Sequence, residues 1–339
     1  MDSLTQAALG ATVAYAVSGR RLGRKALIAG ALVGTLPDMD VLVPFDDAVD
    51  NFTYHRSWSH SYLTLTLITP VLAWLLAMVL RMGGGKKLPK FRNLLWMVWL
   101  VLLTHVLLDS FTVYGTQVFW PLSNYPVGWG SIFIIDPLFT LPLLLAAIKV
   151  CRSPVPVVPL VNTALATSVC YLLLTVWVQQ TVLHKARDSL TQAAFEADAM
   201  SVLPSPGSLL WRVVARNENQ YLEGFYSIFD NYDVKLHPIG FTRHDAGEEL
   251  LQPLNDYAPV QRLRWFTKGL YATDWQDGKL LVSDLRMGIE AQYVFRFEVG
   301  SRQDDGSTTP ARPTVVQRFE PDLVRMRELL SRIFRDFGS

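Results

Sequence analysis

The stretch Ser61-Tyr-Leu-Thr-Leu-Thr-Leu-Ile-Thr-Pro-Val-Leu-Ala-Trp-Leu-Leu-Ala-Met-Val-Leu80 runs for 20 residues without one charged side chain. At about 1.5 Å of rise per residue it makes a helix of roughly 30 Å, the thickness of the hydrocarbon core of a bilayer. A run of this length and composition predicts a membrane-spanning helix. Working outward, comparable apolar segments recur at residues 3–18, 26–44, 94–109, 132–148 and 157–178. The expected fold of residues 1–180 is therefore a polytopic α-helical membrane domain of about six apolar segments. The second segment is broken by Leu36-Pro-Asp-Met-Asp40. Proline and two acids at membrane depth are tolerated where they line a polar cavity, so the first two segments also read as half-spanning.

Composition changes along the chain. Of 339 residues, 50% are hydrophobic and 18% charged, between the values of a soluble protein and of a pure membrane bundle. Residues 1–184 hold 12 Lys and Arg and 8 acids, and no Glu occurs before Glu196. The formal net charge of +1 thus hides a positive membrane half and a negative remainder. Basic residues gather at 19–25, 81–92 and 149–152, in loops that alternate with the others. The positive-inside rule puts these loops in the cytoplasm and loops 45–60 and 110–131 outside. Arg56 is the outer exception.

With basic residues confined to short loops, no nucleic-acid partner is expected. Cys151 and Cys170 are the only cysteines, which excludes a disulfide framework, and a cysteine metal site is not expected. Arg20, Arg21, Arg24 and Lys25 follow the first apolar run instead of preceding it, so that run is expected to be retained and not cleaved as a signal peptide.

From about residue 185 the pattern turns to short alternating strands at Trp211–Arg216, Tyr221–Ile228, Arg262–Phe266, Lys279–Leu285 and Tyr293–Val299. Residues 185–339 are expected to form a soluble α+β domain on the periplasmic side. Its last element, residues 321–337, places Leu323, Met326, Leu330, Ile333, Phe334 and Phe337 on one helical stripe. His184, His237 and His244 lack mutual ligand spacing and read as structural.

The predicted topology brings Asp38, Asp40, His55, His60, His105, Asp109 and Asp136 to the outer ends of apolar segments. Charged groups there cost about 2.5–3.5 kcal/mol each on insertion scales, so a functional partner is the default expectation. His105 and Asp109 are four residues apart, which stacks them on one helical face. Imidazole nitrogen and carboxylate oxygen are what zinc or manganese accepts from such a face. A His–Asp hydrogen bond packing two helices is the competing reading.

His55 and His60 flank the start of the third segment, as two ligands or as two interfacial histidines. Arg56, isolated among outer acids, suits a phosphate or carboxylate fork, or a pairing with Asp46, Asp47 or Asp50. Asp136 precedes Pro137, a pattern that also fits a helix N-cap with Pro at the first helical position. The uncharged stretch between Asp109 and Asp136 is rich in Phe, Tyr and Trp, and it suits the headgroup interface as a roof over the site or as an anchor. No Gly-rich phosphate loop or Gly-x-Ser-x-Gly elbow is present.

These residues resemble a known family, the membrane-bound metal-dependent hydrolases, LexA-regulated inner-membrane proteins of bacteria. The matching pieces are Met1-Asp-Ser-Leu-Thr5 with Leu9-Gly10, Gly34-Thr-Leu-Pro-Asp-Met-Asp40, His55-Arg-Ser-Trp-Ser-His-Ser61, Thr104-His-Val-Leu-Leu-Asp109, Tyr114-Gly115 and Ile135-Asp-Pro137. The resemblance implies a metal site at Asp38, Asp40, His55, His60, His105 and Asp109. The order of Asp, His and His-x3-Asp is also similar to zinc-dependent phospholipase C and the P1-type nucleases. Many relatives read Thr-His near the N-terminus where this chain has Thr5-Gln6. Gln is a poor zinc ligand, so a full multi-metal complement is not implied.

The expected function is a metal-dependent hydrolase of the bacterial inner membrane, acting on a phosphoester of a lipid or envelope metabolite. A divalent metal, zinc or alternatively manganese, would activate water there. Asp38 or Asp40 would orient or deprotonate that water and Arg56 would meet the substrate's charge. Membrane lipids and an amphiphilic substrate are the expected partners. The alternative is a non-catalytic membrane protein with a structural or sensory metal, whose outer domain binds an envelope partner.

Overall fold

The computed structural model describes residues 1–82, 89–230, 238–289, 292–316 and 331–333. It divides into two compact units, one of Met1–Val43 with Arg56–Thr175, the other of Pro44–His55 with Val176–Ser339.

In the first unit α1 (Ser3–Leu22) starts at Asp2, whose carboxylate accepts from the amides of Leu4 and Thr5, both at 3.0 Å. This caps two of the donors that a helix start leaves unpaired. Gly23, at φ 54°, turns the chain into α2 (Arg24–Thr35). The two helices meet backbone to backbone. A Cβ placed on Gly30 would lie 2.1 Å from the carbonyl oxygen of Gly10, and one on Gly34 would lie 3.0 Å from that of Gln6.

Helix α2 ends just before Pro37, whose ring and missing N–H do not suit a helix interior, and the chain continues as a 3-10 turn over Pro37–Leu42. The apolar segment predicted at 26–44 is thus a 12-residue helix followed by a tight turn carrying Asp38 and Asp40. A second 3-10 turn, Trp58–His60, leads into α4 (Tyr62–Met82). After it come α5 (Phe91–Ser110), α6 (Pro137–Arg152) and α7 (Val158–Gln192). The core of this unit joins α1, α2, α4, α5 and α6 through side chains such as Leu9, Val33, Ala73, Val98, Leu102 and Leu143.

Among the described residues α4, α5 and α7 are the helices long and apolar enough to cross a membrane. Six spanning segments are not supported. Helix α2 is only 12 residues and α6 only 16, too short for about 20 residues of hydrocarbon core. In α1, Gln6, Arg20, Arg21 and several Ser and Thr interrupt the apolar face.

In the second unit the last turns of α7 place Val182, Ala186 and Leu190 against a four-stranded antiparallel sheet in the order β1 (Ala199–Pro204), β2 (Leu210–Arg216), β3 (Gln220–Ser227), β4 (Phe241–Asp245). A second antiparallel sheet has the order β10 (Thr308–Val315), β9 (Arg296–Arg302), β6 (Lys279–Asp284), β5 (Tyr271–Gln276). A short ribbon pairs β7 (Gly288–Ile289) with β8 (Gln292–Tyr293).

The short helix α3 (Ala48–Tyr54) belongs to this unit. Phe52, 4% exposed, has ring centroids 4.8, 4.6 and 5.1 Å from Phe266, Phe295 and Phe297. Asp50 pairs with Arg262 at 2.9 Å. The 45–60 stretch, read in sequence as one outer loop, is therefore divided between the units.

Strands β2, β3 and β6 lie where the alternation put them. Arg262–Phe266 does not form a strand. It is the end of helix α8 (Ala258–Phe266), entered through Pro259 and burying Val260, Leu263 and Phe266 at three-residue spacing. Residues 293–299 are split between β8 and β9. The helix predicted at 321–337, apart from residues 331–333, and His237 lie outside the described residues.

Candidate metal centre

Four side chains meet where α2 ends, α4 begins and α5 ends. His105 and Asp109 stack one turn apart on α5, both fully buried. Asp38 comes from the 3-10 turn after α2, and His60 from the turn before α4. One ligand atom from each lies within 4.8 Å of every other.

The edges of this cluster are informative. His60 Nε2 is 3.2 Å from His105 Nε2, 3.5 Å from Asp38 Oδ1 and 3.3 Å from Asp109 Oδ2. His105 Nε2 is 3.6 Å from Asp38 Oδ1 and 3.4 Å from Asp109 Oδ2. A tetrahedral zinc with ligand bonds near 2.0–2.1 Å has ligand-to-ligand edges of about 3.3 Å.

Neighbouring groups fix which ring nitrogens face inward. His105 Nδ1 lies 2.6 Å from the carbonyl oxygen of Gly34. A carbonyl only accepts, so Nδ1 carries the proton and Nε2 of the neutral ring presents its lone pair to the centre. Ser59 Oγ donates its one proton to Asp40 Oδ2 at 2.6 Å, and so accepts from His60 Nδ1 at 2.9 Å. His60 Nε2 is then also a lone pair. Two lone pairs 3.2 Å apart repel unless a cation stands between them.

The carboxylates complete the picture. Asp109 Oδ1 accepts from Gln6 Nε2 at 2.9 Å and from the α-amino group of Met1, while Oδ2 has no hydrogen-bond partner among the described residues. Fully buried carboxylate oxygens without a donor are costly, and this one points at both imidazoles. Asp38 has a side-chain exposure of 19%, whereas the other three are fully buried. The donor set and its orphaned oxygen fit a divalent cation.

Asp40 sits one step behind the centre. Its Oδ2 accepts from the Arg56 amide at 2.9 Å and from Ser59, and lies 3.6 Å from His60 Nδ1. Arg56 adopts φ 63°, an uncommon conformation for a non-glycine residue, which turns its amide toward Asp40. Its guanidinium packs 5.2 Å from the ring centre of Tyr114, with Nη1 3.5 Å from Asp109 Oδ1 and 3.4 Å from Thr112 Oγ1. His55 caps the end of α3 in the second unit and is not one of the four. Asp136 is the N-cap of α6, accepting from the amides of Leu138 and Phe139 and from the Tyr171 hydroxyl. Gln6 serves Asp109 and the backbone carbonyl of His105 as a donor.

Sequence reading passed over Ser59 and Gly34. Ser59 had a visible signal, since a hydroxyl beside His60 is a ready outer partner. Gly34 had none, because its backbone oxygen does the work. Ser59→Ala is expected to weaken metal binding about 10–100-fold, as loss of an outer ligand partner does. Competition with a chelator of known affinity measures it, and an unchanged affinity would show that Ser59 does not orient His60.

No curated protein and no solved structure matches the chain. A family model, described as YdjM inner membrane protein, matches residues 1–183. That stretch is more than half of the chain and carries all four converging residues, so the chain belongs to the YdjM inner membrane protein family.

Proposed function

We propose that this chain is a membrane-bound metal-dependent hydrolase of a phosphoester in a lipid or envelope metabolite. The observation that carries the reading is the convergence of Asp38, His60, His105 and Asp109 with both imidazole lone pairs turned inward. These four would hold a divalent cation, zinc by two imidazole nitrogens and two carboxylate oxygens at near-tetrahedral spacing and manganese as the alternative. Such a cation supplies Lewis acidity and makes water a better nucleophile near neutral pH.

The chain's own groups then have distinct tasks. Asp38, with a side-chain exposure of 19%, is the ligand that solvent reaches and would orient the attacking water. Asp40 holds the Ser59–His60 pair and the Arg56 backbone in place. Arg56 offers a guanidinium whose Nε is without a partner among the described residues, and it steadies the charge of the phosphoryl oxygens. Phe119, Trp120, Tyr125 and Trp129, all exposed on the segment after α5, suit an amphiphilic substrate and the headgroup region. Following the basic loop between α4 and α5, we assign the centre to the periplasmic face.

The second reading, a structural or sensory metal, draws on the full burial of three of the four groups. Purified chain in detergent, stripped of metal and reloaded with zinc or manganese, separates the two. Hydrolysis of a chromogenic phosphodiester or a phospholipid that tracks metal loading supports the enzyme. Full metal occupancy with no turnover on either substrate supports the sensor.

A further inference from the structure

Strand β2 buries two guanidiniums on one face. Trp211, Val213 and Ala215 point to the side packed on α7 and its neighbours, so the alternation of a strand sends Arg212 and Arg216 to the other. Each of the two residues is only 6% exposed. Taking a guanidinium out of water costs several kcal/mol unless every N–H and the charge are met.

Arg212 is partly satisfied. Its Nε bonds Glu223 Oε1, its Nη1 donates to the Leu285 carbonyl at 2.6 Å, and its plane lies 5.9 Å from the ring centre of Tyr293. Nη2 has no partner among the described residues. Arg216 donates from Nη2 to Glu248 Oε2 at 2.5 Å and rests 4.1 Å from the ring centre of Tyr271. Its Nε is likewise without a partner among the described residues.

Charge is also out of balance around Arg216. Glu248 Oε1 accepts from Arg264 Nη2 at 2.7 Å, and Glu248 Oε2 accepts in addition from the Tyr271 hydroxyl at 2.5 Å. Two guanidiniums thus share one carboxylate. Arg264 and Glu248 have side-chain exposures of 27% and 28%, so solvent reaches this edge of the cluster. Tyr221 stands opposite Arg216 in the sheet register, and its hydroxyl meets that of Tyr293, beside Arg212, at 3.1 Å.

We propose that the inward face of β2 binds an oxyanion, the carboxylate or phosphate group of a small ligand, between Arg212 and Arg216. Its oxygens take the N–H of Arg212 Nη2 and of Arg216 Nε, and its charge offsets the surplus cation at Glu248. The rings of Tyr293 and Tyr271 hold the two guanidinium planes in place for that contact. The site shares no residue with the metal centre.

The test uses the full chain in detergent micelles, stripped of metal, with inorganic phosphate and acetate as probes and chloride at matched ionic strength as the reference. At about 10 mM of the preferred anion the melting temperature of the second unit is expected to rise by about 2–4 °C. The arm that responds tells phosphate from carboxylate. Arg216→Lys keeps the charge and loses the Nε–H at that position, and the rise is expected to vanish. Arg212→Lys removes the other donor and gives an independent reading should Arg216→Lys fold poorly. His105→Ala is expected to keep the full rise. No rise with either anion in the unsubstituted chain overturns the proposal. So does a full rise in both Lys variants, or a rise lost in His105→Ala and kept in Arg216→Lys.

Discussion

His105→Ala is expected to remove metal from the centre while leaving the helices folded. The imidazole offers one of the two nitrogens that could hold a metal, and its Nδ1 bond to the Gly34 carbonyl sets the ring's orientation. Loss of an outer partner already weakens a metal site about 10–100-fold, so loss of the ligand itself is expected to exceed that range. The residue remaining at position 105 would still be helical and apolar, and Ala is the best helix former. Asp109→Ala is a poorer probe. Asp109 Oδ1 also accepts from the Met1 amino group and Gln6, with the Arg56 guanidinium 3.5 Å away, and removing a buried carboxylate from such partners destabilises by about 3–5 kcal/mol. Metal content per chain after exhaustive dialysis, read beside the circular dichroism spectrum, checks the prediction. Equal metal in the variant and the unsubstituted chain would mean that the cation sits elsewhere.

The candidate site was legible in sequence to the extent that short-range spacing encodes it. The i,i+4 relation of His105 and Asp109 is a property of any helix, and α5 is apolar enough to be read as one. The choice between His55 and His60 was not legible. They lie five residues apart, and a left-handed Arg56 between them leaves the first at the end of α3 and turns the second into the centre. Such a conformation in a non-glycine residue has no composition signal. Asp136 carried two readings, and the amides of Leu138 and Phe139 decide for the cap.

The same limit applies to the fold. Apolar length identified α4 and α5, yet it overstated the spanning role of the segments that became α1, α2 and α6. The error in Arg262–Phe266 arose because Arg-Leu-Arg-Trp-Phe alternates polar and apolar residues while Val260, Leu263 and Phe266 also mark a helical face. A five-residue window does not separate the two periods. That Phe52 inserts among aromatics from residues 266–297 is a long-range fact with no local trace.

Gly30→Val is expected to be the most damaging single change outside the ligands. The added Cβ alone would stand 2.1 Å from the Gly10 carbonyl oxygen and 2.4 Å from the Ala14 Cβ. Neither neighbour is the tip of a flexible side chain, so the helices must move apart. Overpacking of a core costs typically 1–3 kcal/mol, and a backbone clash with a β-branched residue belongs at or above the top of that range. Movement of α1 and α2 reaches the centre as well. Gly34, one turn beyond Gly30 on α2, gives the carbonyl that holds His105, and Gln6, one turn before Gly10 on α1, donates to Asp109. Gly30→Val is therefore expected to lower the unfolding midpoint in micelles and to weaken metal binding about tenfold or more, as loss of an outer partner does. Leu32→Val, at a position 64% exposed on the same helix, is the matched control and is expected to change neither. A Gly30→Val chain that unfolds and binds metal like the control would mean that α1 and α2 are not in backbone contact, and that the Gly34 carbonyl does not depend on their packing.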